Sequence, residues 1–126
     1  MKFYFASRFK KKNELLRLRD SLEKEKHKVI SSWIDAPSLK PYSDNKKKCS
    51  LMAKKIESEI KKCDVFVLLS DKSGTDMFVE LGIAAALKKK IYIIGKHNQR
   101  SLMHFHPLFK HVDSVEKLFE MLHINI

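Results

Sequence analysis

The eleven residues MFVELGIAAAL, positions 77–87, contain one charged side chain, Glu80. A carboxylate in so apolar a run is out of pattern. The segment should form a helix beginning near Thr75 or Asp76, either of which can cap it, so Glu80 is expected in about the first turn. Free amides and the positive dipole end favour the ionised carboxylate there, whereas burial among Met77, Phe78, Leu81 and Ala84 favours the neutral acid. Ionised, Glu80 could attack an electrophilic sugar carbon, as glycosyl-transferring carboxylates do, or take a proton as a general base. Alternatively it serves only the helix's own N-terminal hydrogen bonding. Position alone leaves both readings open.

Ser73, Gly74 and Thr75 make a loop at that helix start, a setting suited to an anion or a hydroxyl, although SGT is far from a P-loop and ordinary loop chemistry yields the same residues. His104, His106 and His111 invite a metal reading, since H-x-H on a strand puts both imidazoles on one face. Pro107 interrupts that segment and no third ligand stands out, so no metal is expected. Cys49 and Cys63 lie fourteen residues apart with no CxxC. They encode neither a disulfide framework nor a cysteine zinc site, which suits a reducing cytoplasm.

Around these groups, KFYFA at 2–6 reads as a buried strand, followed by a Ser7-Arg8 turn and a helix near 11–26 with Leu15, Leu16, Leu18 and Leu22 on one face. HKVISSW at 27–33 reads as a second strand, and Pro37 and Pro41 make the next stretch irregular. Leu51, Met52, Ile56 and Ile60 recur at helical spacing between about 45 and 62. Residues 64–95 run strand, polar loop, short helix, strand: a βαβ unit with a right-handed crossover. VFVLL and IYII lack the alternation of a half-solvated strand, so both faces should be covered in a parallel sheet. An extended piece near 110–112 and a helix starting at Asp113 or Ser114 close the chain.

This pattern predicts a single α/β domain over 1–126: a doubly wound, flavodoxin-like or Rossmann-like five-stranded parallel sheet of order 2-1-3-4-5 with helices on both faces. Such sheets bind ligands at the carboxyl ends of the strands, beside strand 1, where the loops after strands 1 and 3 meet. Asp64 opens strand 3 at the opposite end and reads as a turn residue.

The chain has 126 residues, 44% of them hydrophobic and 33% charged, enough for one core and too few for a large barrel. Twenty-six Lys and Arg against fifteen Asp and Glu give a net charge of +11, which favours anionic partners such as phosphorylated metabolites, nucleic acid or a membrane surface. The lysine runs at 10–12, 46–48 and 88–90 fall at predicted element ends, where they read as solvated helix termini and turns. No RNP, KH or zinc motif appears, so nucleic acid is not the expected partner; affinity falling steeply with salt would mark it. No apolar run reaches the roughly 18 residues of a membrane span, and MKFYFASRF lacks a signal-peptide core, so a soluble cytoplasmic protein with no membrane partner is expected.

SGTDMFVELGIAAALKKKIYIIG, with the opening KFYFASRF and the phrase ISSWID, resembles the nucleoside 2-deoxyribosyltransferase-like family, in which the nucleophilic glutamate sits in an ELG(Y/I)A(Y/A)AL segment after a glycine-containing loop. Glu80 matches that glutamate. The ordered likeness extends over nearly the whole chain, and HFHPLFKHVDSVEKLF is similar to the FHHLP-type stretch and terminal helix of a small branch of the family. The resemblance implies N-glycosidic bond exchange or hydrolysis through a glycosyl-enzyme intermediate, without cofactor or metal, on a nucleoside or its 5′-monophosphate. It implies that Tyr4 hydrogen-bonds the catalytic carboxylate, and that Ala6, Ser7, Arg8 and Phe9 form the loop over the sugar or its 5′ end.

Ser7 and Arg8 could hold a phosphate, and Trp33, at the predicted end of strand 2, could stack on a base. As plain structure, Tyr4 is a core aromatic, Arg8 a solvated loop charge and Trp33 rim packing. The resemblance further implies a homodimer or larger homo-oligomer formed through the Glu80 region. It departs at Ile56, where characterised members carry an aspartate that contacts the leaving base. Either Glu57 or Glu59 substitutes, or the protein is a non-catalytic nucleotide-binding module of the same fold.

Overall fold

The computed structural model describes residues 1–125; residue 126, the last of the predicted domain, lies outside them. Five parallel strands, β1 (Lys2–Ala6), β2 (Lys28–Val29), β3 (Val65–Leu69), β4 (Lys90–Ile94) and β5 (Phe109–Val112), form one sheet in the order β2-β1-β3-β4-β5. Four helices connect or follow them: α1 (Lys12–Lys24), α2 (Lys46–Lys62), α3 (Asp76–Ala86) and α4 (Val115–Met121). The expected α/β architecture and strand order are those observed.

Side chains alternate across the sheet because a strand repeats every two residues. Phe3, Phe5, Val65, Val67 and Tyr92 pack on one face with Leu15 and Leu22 of α1 and Leu118 and Phe119 of α4. Tyr4, Ala6, Phe66, Leu68, Ile91 and Ile93 pack on the other with Ile60 of α2 and Met77, Leu81 and Ala84 of α3. Both faces being covered explains the unbroken apolar runs of β3 and β4. The same register turns Tyr4 toward α3, with its ring stacked on Phe66 at 5.5 Å.

The predicted second strand is much shorter than 27–33. The ladder continues to the Ile30 N–H, which donates to the Phe3 carbonyl at 2.9 Å. The Ser31 hydroxyl then accepts the Phe5 N–H at 3.1 Å, in place of a strand carbonyl. The chain leaves the sheet in a 3-10 turn over Ser32–Asp35, so Trp33 stands in that turn and not on a strand. An Arg19–Asp35 ion pair at 2.7 Å and a bond from Lys12 Nζ to the Ala36 carbonyl at 2.9 Å fasten the turn to α1.

Lys46–Lys48 occupy the first turn of α2, an element end as expected, though one where the dipole disfavours cations. The His104-x-His106 pair lies at a 3-10 turn, Leu102–Phe105, and not on the strand that a shared imidazole face would require. There His104 is buried and Ser101 caps the turn against it, while His111 Nε2 is 2.9 Å from the His104 carbonyl. Among the described residues, no three His, Cys, Asp or Glu side chains are grouped to hold a metal ion. Asp64 pairs with the backbone of Lys2 at the amino end of the sheet, as its turn reading expects. Cys49 and Cys63 are free thiols. No helix among the described residues is long and apolar enough to cross a membrane.

Candidate active site

Strand order reverses between β1 and β3, so the connections leaving them splay to opposite sides and leave a crevice at their carboxyl ends. A cleft of about 240 Å³ opens there. Its walls are the Ser7–Phe9 loop after β1, Trp33, the 36–40 loop, one face of α2 at Met52 and Ile56, and the first turns of α3. Asn45 ties the loop down, its Nδ2 donating to the Leu39 carbonyl at 2.9 Å.

Gly74 sets the approach to α3. Its φ of +135° is open to glycine and strained for other residues, and a Cβ there would lie 2.7 Å from Met77 Cε. Thr75 occupies the N-cap position without a side-chain bond to the helix, so the expected cap by Thr75 or Asp76 is not made. Counting from Asp76, Glu80 is the fifth helical residue, in the second turn and beyond the free amides. Its carboxylate takes a different partner: Oε1 accepts a hydrogen bond from the Tyr4 hydroxyl, donated from the floor of the sheet.

Glu80 is only 7% exposed yet lines the cleft. Burial pushes its pKa from an ordinary 4.5 up to about 7; the Tyr4 hydrogen bond pulls the other way, and the Asp76 and Glu59 carboxylates add to the rise. Burial and the Glu80 carboxylate raise the Tyr4 phenol far above its ordinary value, so Tyr4 remains a protonated donor. A carboxylate poised near neutrality, bonded on one side and open to a cleft on the other, can act as a nucleophile or exchange a proton.

Arg8, on the cleft wall, converges with Lys10 and Lys11 on one oxygen of buried Asp71 at 3.9, 3.7 and 3.9 Å. The Lys72 N–H, donating to Asp71 Oδ1 at 2.7 Å, and these cations hold the Asp71 carboxyl below its ordinary range. Three cations around one carboxylate leave local positive charge beside Ser7, a setting for an anionic group.

Of the residues singled out in the sequence, Ser7, Arg8, Phe9, Trp33, Gly74, Thr75 and Glu80 line one cleft, with Tyr4 directly beneath Glu80. Ala6 is fully buried in the strand, and Ser73 is exposed in the loop; neither is on the cleft wall. Trp33 donates its indole N–H to the Phe5 carbonyl at 2.9 Å, which fixes the ring 6.5 Å from that of Phe9. Glu57 is exposed, and Glu59 accepts from the Ser32 N–H at 3.2 Å. Neither lines the cleft, whereas Ile56 does. The carboxylates on its wall are Glu80 and Asp76.

Asp71, Tyr42 and the 36–40 loop were not singled out as site residues in the sequence. Asp71 carried a weak signal, as an acid two residues after an apolar strand. Tyr42 carried none, because its place depends on how the 36–44 segment folds back.

The fold and cleft together define a parallel α/β protein with a crevice at the β1/β3 switch point. No protein-family model matches the chain, and no curated protein does. Among solved structures it is similar to the Clostridium botulinum CMP N-glycosidase BcmB, with a TM-score of 0.64 and 17% identity over 98% of each chain. The two share a fold from end to end.

Proposed function

We propose that the protein breaks the N-glycosidic bond of a nucleoside or nucleoside 5′-monophosphate, with Glu80 as nucleophile. One observation carries the reading: a buried carboxylate with a pKa of about 7, held by Tyr4, opens onto a cleft at the switch point of the sheet. The likeness of fold to a CMP N-glycosidase adds support. A carboxylate oxygen forms a bond to C1′ while the C1′–N bond breaks and its electron pair leaves with the base, which takes a proton from solvent water. Water, or the nitrogen of a second base, then attacks C1′, the C1′–O bond to Glu80 breaks to return the carboxylate, and the attacking group gives its proton to solvent. Tyr4 positions Glu80 and favours its ionised form. Arg8 and Ser7 receive the 5′ end, and Trp33 and Phe9 offer aromatic surface to the ligand. The protein acts in the cytoplasm on a small molecule, and a second copy completes a homodimer or larger homo-oligomer.

Ile56 on the cleft wall favours one other reading, a nucleotide-binding module without turnover. Free base is measured after incubation with deoxynucleosides, ribonucleosides and their 5′-monophosphates. The enzyme reading expects release that Glu80→Ala abolishes; the binding-module reading expects saturable binding with no release.

A further inference from the structure

Asp76 stands four residues before Glu80 on α3, an offset that puts two side chains on the same helical face about 5–6 Å apart at Cβ. Both line the cleft, and the Asp76 carboxylate is close enough to act on the ionisation of Glu80. The Tyr42 hydroxyl, reaching across from beyond the 36–40 loop, donates to Asp76 Oδ2 at 3.2 Å. That bond orients the carboxylate and leaves Oδ1 without a protein donor among the hydrogen bonds of the described residues. Tyr42, its proton committed to Asp76, also offers only acceptor capacity to the cleft. Asp76 and Tyr42 are exposed at the cleft, so water solvates Oδ1 there and a ligand hydrogen-bond donor can take its place.

Stereochemistry selects the donor. In a β-nucleoside the base projects from one face of the pentose and the 2′ and 3′ hydroxyls of ribose from the other. A nucleophile displacing the base must approach C1′ from the hydroxyl face. A carboxylate beside that nucleophile on the same helical face therefore meets ring hydroxyls and not the departing base.

Resting on the glycosidase reading of Glu80, we infer that Asp76, oriented by Tyr42, accepts a hydrogen bond from a pentose ring hydroxyl and so selects ring-hydroxylated sugars. The pair is a specificity device of the sugar subsite. It does not replace the aspartate missing at Ile56, because it stands on the wrong side of the ring to protonate the base.

The test uses Glu80→Gln, in which the bond is not cut, with and without Asp76→Ala. Each protein is titrated calorimetrically with ribonucleoside 5′-monophosphates and their 2′-deoxy, 3′-deoxy and 2′,3′-dideoxy counterparts. A charge-assisted hydrogen bond lost from the complex should weaken binding of the ribo compounds roughly 10- to 100-fold. The dideoxy compounds should bind the two proteins alike, and whichever mono-deoxy series also escapes the loss names the hydroxyl. Tyr42→Phe should give a smaller loss with the same pattern. A uniform loss across the series, or none, overturns the inference while leaving the glycosidase reading intact. If neither these nucleotides nor the corresponding nucleosides bind even with Asp76 present, the glycosidase reading fails and this inference fails with it.

Discussion

Glu80 is held between opposing effects, and their balance sets its chemistry. Burial raises its pKa to about 7, and the Tyr4 hydrogen bond keeps it from rising further. Tyr4→Phe should therefore move the acid limb of the kcat/KM profile to higher pH from its expected midpoint near 7; a limb that stays in place would contradict the role given to Tyr4. Stability carries the same signature. Glu80 binds its proton more tightly in the folded chain, so its contribution is complete below pH 4.5 and is lost as pH rises through about 7. The shift corresponds to about 3 kcal/mol. Glu80→Gln should match the parent protein in urea unfolding at pH 4 and exceed its stability by about 2–3 kcal/mol at pH 8. The oddity of Glu80 was legible in the sequence, as one charge in an apolar helix. Its hydrogen bond was not derivable from spacing, because Tyr4 lies 76 residues away and meets it only through strand register.

At the level of elements, the loop from β3 into α3 delivers Glu80 and Asp76 to the cleft, and Gly74 makes its turn. Gly74→Ala should cost about 1–3 kcal/mol in thermal or urea unfolding, because its φ of +135° strains any residue with a Cβ. α2 carries an electrostatic cost at its start, where Lys46, Lys47 and Lys48 face the positive dipole end. Lys46→Glu should raise stability by about 0.3–1 kcal/mol in urea unfolding. The strands of the βαβ unit and the amphipathic helices were legible because their periodicity is local. The end of β2 was not. HKVISSW has the composition of a strand, and it takes the Ser31 hydroxyl, bonded to the Phe5 N–H across the sheet, to release the chain into the turn that carries Trp33. Tyr42 and the 36–40 wall were out of reach because an irregular segment has no periodicity to read: it takes its place from side-chain bonds such as that of Asn45 to the Leu39 carbonyl and from a partner 34 residues away, Asp76.

Across the whole molecule, the alternation of strands and amphipathic helices was enough to place the crevice, since a doubly wound sheet binds at its switch point whatever its loops contain. Net charge was legible as a number, +11, but its focus was not. The convergence of Arg8, Lys10 and Lys11 on Asp71 emerges only when the ends of β1 and β3 lie side by side. If that charge receives a phosphate, affinity for a 5′-monophosphate should fall as salt rises from about 0.05 to about 0.5 M, while affinity for the uncharged nucleoside holds steady. Equal salt dependence for both ligands would argue against a phosphate at Arg8. The central claim is that the buried carboxylate at the crevice displaces a base from C1′, and base release tests it most directly. Incubated with nucleosides and their 5′-monophosphates, the unmodified protein should liberate free base and Glu80→Ala should liberate none. Equal release from both proteins, or none from either, would contradict it.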